Sequence, residues 1–190
     1  DGFVARWLKA SSEMGKQLDS LADVVSFGVA PSVIVYFFLR LSLSRLEGGL
    51  DLGWVWKTPA FLIAAAAAWR LARFNLTPTS HSGFQGVPTP AVGLLIASFP
   101  LIYWNTSYEW VIRLLEQEFF WYAMIVITSA LMVSRLPLLS FKFSKGKRSF
   151  DLPLILLGVS ALAGIWWLQW LAIPLLFVLY ILLSLAFKKK

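Results

Sequence analysis

Apolar residues fall along this chain in long runs separated by short polar stretches, the pattern of helices that meet lipid rather than of a soluble core. Six runs of roughly 16 to 20 residues stand out: about 24–43, 58–75, 89–104, 119–136, 151–167 and 170–187. Three of them open with helix-entry chemistry. Thr58-Pro59 and Thr89-Pro90 each place a hydroxyl cap before a proline at the first helical position, and Asp151 precedes Pro153 in the same sense. Pro31 lies inside the first run and should kink it, freeing a backbone carbonyl that a neighbouring helix or side chain must satisfy. The pattern predicts an all-α, polytopic transmembrane helical bundle: six full spans, preceded by the tail of an earlier helix, in a single integral membrane domain over 1–190. The chain opens on Asp1, inside what reads as a helix already under way, and this predicts that an N-terminal portion is missing.

Composition agrees with the pattern. Hydrophobic residues make up 58% of the chain and charged residues 14%, against about 25% charged in an ordinary soluble domain. With no cysteine there is no disulfide framework, thiolate zinc site or thiol nucleophile, and the one histidine, His81, leaves metal binding to carboxylates. His81 itself reads as a polar loop residue. The net charge of +7 would suggest nucleic acid if the basic residues were not sorted by side. With residues 1–23 cytoplasmic, six crossings put 76–88, 137–150 and the tail on the same side. Thirteen of the 17 basic residues then lie inside, and only Arg40, Arg45, Lys57 and Arg113 lie outside. The excess is therefore topology plus attraction to anionic head groups, and no nucleic-acid role is expected. Lys142, Lys145, Lys147 and Arg148 read as a basic face on anionic lipid, while Trp104, Trp110, Trp121 and the Trp166-Trp167 pair read as interface anchors near outer span ends.

The informative chemistry is acidic. Gly15, Asp19 and Asp23 form one stripe at helical i, i+4 spacing, so the two carboxylates share a face with glycine one turn before them. Carboxylates that close repel, and at the mouth of a membrane span the arrangement is costly unless cations sit between them. Hard divalent cations such as Mg²⁺ or Mn²⁺ take carboxylate oxygens and keep positions open for substrate phosphates, which glycine lets approach the backbone. Pairing of Asp19 and Asp23 with Arg6, Lys9 and Lys16 at a helix end is the plainer alternative.

The full spacing favours the first reading. Asp1-Gly2-x-x-Ala5-Arg6, eight residues, then Gly15-x-x-x-Asp19-x-x-x-Asp23 resembles the signature of the CDP-alcohol phosphatidyltransferase family at seven specified positions. The family pattern opens with one more aspartate, three residues before Asp1, which falls beyond the start of the chain. The resemblance implies that Asp1, Asp19 and Asp23 hold divalent metal, Mg or Mn and two ions, on the pyrophosphate of a CDP-linked lipid. It implies that Gly2, Ala5, Arg6 and Gly15 pack against that lipid's nucleotide, and that Asp23 is the general base on the attacking alcohol. It also implies a homodimer.

Three further stretches are similar to the serine-accepting subgroup of this family. They are Leu18 to Pro31, then Arg70-Leu71-Ala72-Arg73-Phe74-Asn75 with Phe84 to Ala91, and Ser134 to Lys142. CDP-diacylglycerol and L-serine are the substrates this implies, in an integral, bacterial-type inner membrane with the active site facing the cytoplasm. Serine brings a carboxylate, so its site wants a guanidinium: Arg70 and Arg73, one turn apart with Asn75 close by, are the candidate acceptor-binding residues. Anchoring by the positive-inside rule is the alternative for the arginines. The same fold with glycerol 3-phosphate or inositol phosphate as acceptor would favour additional basic residues around the site. A small transporter would place polar residues at mid-span instead. Gly83, Gly86 and Pro88 read as a tight turn before the Pro90 helix. The last two spans read as lipid-facing sequence without a diagnostic motif.

Overall fold

Ser12 starts the first helix by accepting a hydrogen bond on its Oγ from the Gly15 amide at 3.0 Å, with Glu13 in the first turn complementing the helix dipole. In the computed structural model the described residues are 12–46, 53–76, 86–136 and 152–186. Every regular element among them is helical. We label them α1 (Glu13–Val24), α2 (Ala30–Leu43), α3 (Leu62–Leu76), α4 (Thr89–Asn105), α5 (Glu109–Leu115), α6 (Glu118–Val133), α7 (Leu152–Leu168) and α8 (Ala172–Ala186). Short 3₁₀ turns occupy Trp54–Trp56, Thr58–Phe61 and Gln169–Leu171.

The first apolar run begins earlier than its hydropathy suggests. α1 and α2 are one continuous helix over Glu13–Leu43, joined by a π-helical segment, Val25–Val29, in which the Ala30 amide reaches back to the Val25 carbonyl. Pro31 is the reason: it cannot donate, so the turn before it widens rather than breaking. Ser32, the residue after the proline, links this turn to the neighbouring helix. Ser32 Oγ donates to the Gly28 carbonyl at 2.8 Å and accepts from the Ala64 amide of α3 at 3.1 Å. Glycine lets this segment touch two neighbours at once. A Cβ on Gly28 would stand 3.0 Å from Ala67 Cβ of α3, and one on Gly93 of α4 would stand 2.8 Å from the Phe27 ring.

α4 runs through the middle, packed against α2, the π segment, α5 and α8, and α3 packs lengthwise on α6. At the far end Trp121 is fully buried, stacked on Phe38 at 4.4 Å and crossed edge-on by Phe99 and Phe120. This corrects its reading as an interface anchor: its indole Nε1 donates to the Leu115 carbonyl at 2.7 Å, so the polar edge is satisfied inside and the ring fills the core. Trp104, Trp110, Trp166 and Trp167 are exposed, as anchors should be. The short α5 lies in the loop after α4, and Arg45 pins that loop to the end of α2 through Glu116 at 2.7 Å, with the Tyr103 hydroxyl on the same carboxylate oxygen.

Two caps are corrected. Helix entry falls one residue before each threonine, at Lys57 and at Pro88, so each hydroxyl sits inside the first turn and turns away from the free amides. Thr58 Oγ1 donates back to the Val55 carbonyl, and Thr89 Oγ1 is buried without a partner among the described residues. Asp151 lies outside the described residues.

Glu13–Leu43 and Leu157–Ala186 are long and apolar enough to cross a bilayer by length and composition. The second is two helices folded back on each other. A continuous helix holds residues eight apart about 12 Å from one another, whereas a Cβ on Gly164 would lie 3.0 Å from Ala172 Cβ, and Gln169 turns the chain with φ 48°. Helix surfaces facing away from the bundle are apolar too: Phe37, Trp69, Leu94, Val126 and Leu162 are each more than half exposed. Helices hydrophobic on all sides are the kind that lipid surrounds.

Candidate active site

The acidic stripe belongs to α1, on the same rigid helix as the apolar run. Asp19 is exposed and Asp23 partly buried, and neither meets a basic side chain among the described residues. Arg6 and Lys9 lie outside those residues, as do Asp1, Gly2 and Ala5. Gly15 is exposed, and among the described residues a Cβ there would approach only Ser12 Oγ, at 3.2 Å.

α3 packs against α1 and delivers the second group of residues. Asn75 Nδ2 donates to Ser20 Oγ at 2.9 Å. Ser20 adjoins Asp19 and stands three residues before Asp23, on one helical face with it, so the end of α3 is tied beside the inner carboxylate. Sequence reasoning missed Ser20. It lies within the stretch similar to the serine-accepting subgroup, yet a lone serine beside aspartates carries no signal until its partner on α3 is known.

The two arginines of α3 differ. Arg73 reaches α6, where Nη1 donates to the Val133 carbonyl at 2.9 Å and Nη2 to the Ser134 carbonyl at 3.0 Å. The same helix end receives the Gly86 amide on Leu136 O at 2.9 Å and the Val87 amide on Leu131 O at 3.2 Å. Gly86 is irreplaceable in this turn: its φ is +73°, and a Cβ would fall 2.7 Å from Met132 O and 2.8 Å from Ser134 O. The turn expected before the Pro90 helix is therefore present at Gly86; Gly83, His81 and the basic group 142–148 lie outside the described residues. Arg70 points inward. It is 6% exposed, and among the described residues its Nε has no hydrogen-bond partner and the charged and phenolic groups acting on it are Arg73 and Tyr180 of α8. The last helix is thus not merely lipid-facing, because Tyr180 and Ser184 are buried in the bundle.

Among the described residues no three metal-ligating side chains come together; the third member of the expected set, Asp1, lies outside them. The chemistry of the donors does fit a hard cation: two carboxylates one turn apart, unopposed by a described cation.

The amide of Asn75 and the acidic stripe of α1 meet at one end of the helical bundle. A channel would distribute such groups along its middle. The chain belongs to the CDP-alcohol phosphatidyltransferase family, whose model matches residues 1–134. It is 35% identical over 162 residues to the CDP-diacylglycerol–serine O-phosphatidyltransferase of Helicobacter pylori, a match covering 84% of this chain and 63% of that protein. It is 39% identical over 101 residues to the protein of that name from Bacillus subtilis, covering 52% of each chain. With the one from Mycobacterium leprae it shares 34% over 154 residues, 73% of this chain and 44% of the relative. The chain thus spans about 63% or less of the length of these relatives.

Proposed function

We propose that this chain carries the catalytic domain of a CDP-diacylglycerol–serine O-phosphatidyltransferase, moving the phosphatidyl group from CDP-diacylglycerol to L-serine and releasing CMP. Family membership and the names of the relatives support the reaction class. The observation that carries the site is the hydrogen bond from Asn75 to Ser20, which ties the arginine-bearing end of α3 to the carboxylate pair of α1. Our reading of the whole is one integral membrane domain with six spans. Outward apolar faces and the inside excess of basic residues support it, with the acidic end on the cytoplasmic side of a bacterial-type inner membrane. We take the working form to be a homodimer, as in the family resemblance.

In this reading Asp1, Asp19 and Asp23 would hold two divalent cations, Mg²⁺ or Mn²⁺, which when bound neutralise pyrophosphate charge. Gly2, Ala5, Arg6 and Gly15 bind the CDP-lipid, with Gly15 leaving the helix surface open for it. Asn75, Arg70 and Arg73 form the acceptor side. Arg70 supplies the carboxylate contact, while Arg73 adds positive potential and holds the end of α6. The serine hydroxyl forms a P–O bond to the phosphorus bearing diacylglycerol, the pyrophosphate bond to CMP breaks, and the hydroxyl proton passes to Asp23. Partial burial and proximity to α3 favour Asp23 over exposed Asp19 for that proton.

An acceptor screen tests the proposal. The full-length protein, with its N-terminal residues, labelled CDP-diacylglycerol and Mg²⁺ or Mn²⁺, should form labelled lipid and CMP with L-serine, and not with glycerol 3-phosphate or inositol phosphate. Preference for a phosphorylated acceptor would overturn the serine assignment. Asp23→Asn should abolish transfer while CDP-lipid binding stays within about an order of magnitude; equal loss of both would make Asp23 mainly a metal ligand.

A further inference from the structure

A groove between α6 and α8 begins at the end of the bundle away from the acidic stripe and runs inward. Leu95, Phe99 and Ile102 of α4 form its bottom and are buried, while Ile127 of α6 with Val178 and Leu182 of α8 form its rims and are each more than half exposed. α8 packs on α4 whereas α6 packs on α3 and α5, so the two outer helices stand apart over α4. The short α5 closes the far end with Trp110 and Leu114. Among the described lining residues the side-chain hydroxyl is that of Thr128, which donates to the Met124 carbonyl at 2.6 Å, so the surface offered is hydrocarbon.

The dimensions select the occupant. The volume is about 480 Å³, and the walls run from Phe120 to Leu131 and from Leu171 to Leu182, about 16 Å at the helical rise. Spread over that length, 480 Å³ has a section of about 30 Å² and a width of about 6 Å. A helix with its side chains needs about 10–12 Å, so a helix of a second copy does not fit. A methylene chain does, since carbons in contact stand about 4 Å apart. The length is also that of one leaflet, half of a hydrocarbon core about 30 Å thick.

At its far end the groove meets a second cavity of about 240 Å³, with which it shares Ile102, Leu168 and Leu171. This one is polar: Asn105, Thr106, Ser107 and Tyr108, where α4 ends, line it together with Gln169 from the turn before α8. Gln169 holds a φ of 48°, a conformation a non-glycine residue keeps only where its surroundings enforce it. No charged side chain lines either cavity among the described residues. Trp110 borders the groove and Trp167 the polar cavity, both exposed, which sets their junction at head-group level.

We infer that the two cavities together seat one phospholipid of the outer leaflet, an acyl chain in the groove and the glycerol-ester region in the polar cavity. The inference rests on the membrane reading above and is independent of which acceptor the enzyme uses. Lipid tails are as apolar as leucine, so the chain fills a gap between helices without a hydrophobic driving force. Selection comes from the amide and hydroxyl donors acting on ester carbonyls, and head-group charge meets no ionised partner in the lining. This lipid is distinct from the CDP-lipid donor, whose pyrophosphate must reach Asp19 and Asp23 at the opposite end.

The test reconstitutes the full-length protein in phosphatidylcholine vesicles with a trace of phosphatidylcholine carrying a diazirine midway along one acyl chain, and maps the photoadducts by mass spectrometry. Phe99, Met124 and Phe177 in the groove should be labelled about fivefold more than the outward-facing Leu94 and Leu162, the gain from about one hydrogen bond. Photoreactive phosphatidylglycerol should label the groove equally. An ether-linked analogue, which has no ester carbonyl, should label it no more than the outward faces. Val178→Trp, and Ile127→Trp from the opposite rim, should each bring groove labelling down to that level while CMP release is retained. Groove labelling no higher than on the outward faces overturns the site, as do a preference for one head-group charge, equal labelling by the ether analogue, wild-type labelling in both tryptophan variants, or cross-linking of these residues to a second copy. Absence of adducts on the outward faces overturns the membrane reading and this inference with it, whereas expected labelling in an enzyme that does not use serine overturns the acceptor reading alone.

Discussion

Replacing Arg73 by lysine keeps the charge and removes the fork. Arg73 Nη1 and Nη2 reach two successive carbonyls, Val133 O at 2.9 Å and Ser134 O at 3.0 Å, and a single ammonium cannot hold both in that geometry. A hydrogen bond from a charged donor contributes about 1.5–3 kcal/mol. One of the pair is solvent-exposed and the other partly buried, so screening lowers the loss to about 1–2 kcal/mol. In a chain of this size each kcal/mol moves Tm by about 2–4 °C, which puts Arg73→Lys about 2–8 °C below wild type. The assay is thermal unfolding of the full-length protein in micelles of fixed composition, run beside serine kinetics. Arg70→Lys should give the opposite profile: a serine KM raised about tenfold or more, because its contact is with the acceptor. An Arg73→Lys protein that melts with wild type would refute the clasp between α3 and α6. A larger serine KM shift in Arg73→Lys than in Arg70→Lys would move the acceptor contact from Arg70 to Arg73.

Asp19→Ala removes an anionic ligand directly, so half-maximal activity should require about tenfold more Mg²⁺ or Mn²⁺; an unchanged metal titration refutes the paired-carboxylate site. Gly86→Ala should destabilise by about 3 kcal/mol or more, combining the left-handed backbone penalty of about 1–2 kcal/mol with loss of the amide bonds to Leu131 and Leu136. Gly158→Ala, where nothing among the described residues lies within 4 Å of the added Cβ, is the control, and should be neutral or stabilising by up to about 1 kcal/mol. Equal melting of the two variants would refute the tight seat at Gly86.

The amino-acid sequence by itself determined the helical class, the approximate place of six apolar helices and the acidic stripe. Each of these depends on residues close together in the chain: hydropathy over one helix length, or Asp19 and Asp23 one turn apart. The tight turn at Gly86 and the disturbance at Pro31 were legible for the same reason, since they follow from the backbone chemistry of a single residue. Only the tertiary structure decided what those elements face. Trp121 and Trp104 are the same residue type near helix ends, yet one is core and the other exposed, because the difference lies in Phe38 and Phe99 on other helices. Arg70 and Arg73 share a helix and a charge, and packing alone sends one to the carbonyls of α6 and the other into the interior. Ser20 carries no local pattern at all. It is picked out by Asn75, 55 positions further along the chain, a partner brought in by helix packing, which no short stretch of sequence encodes.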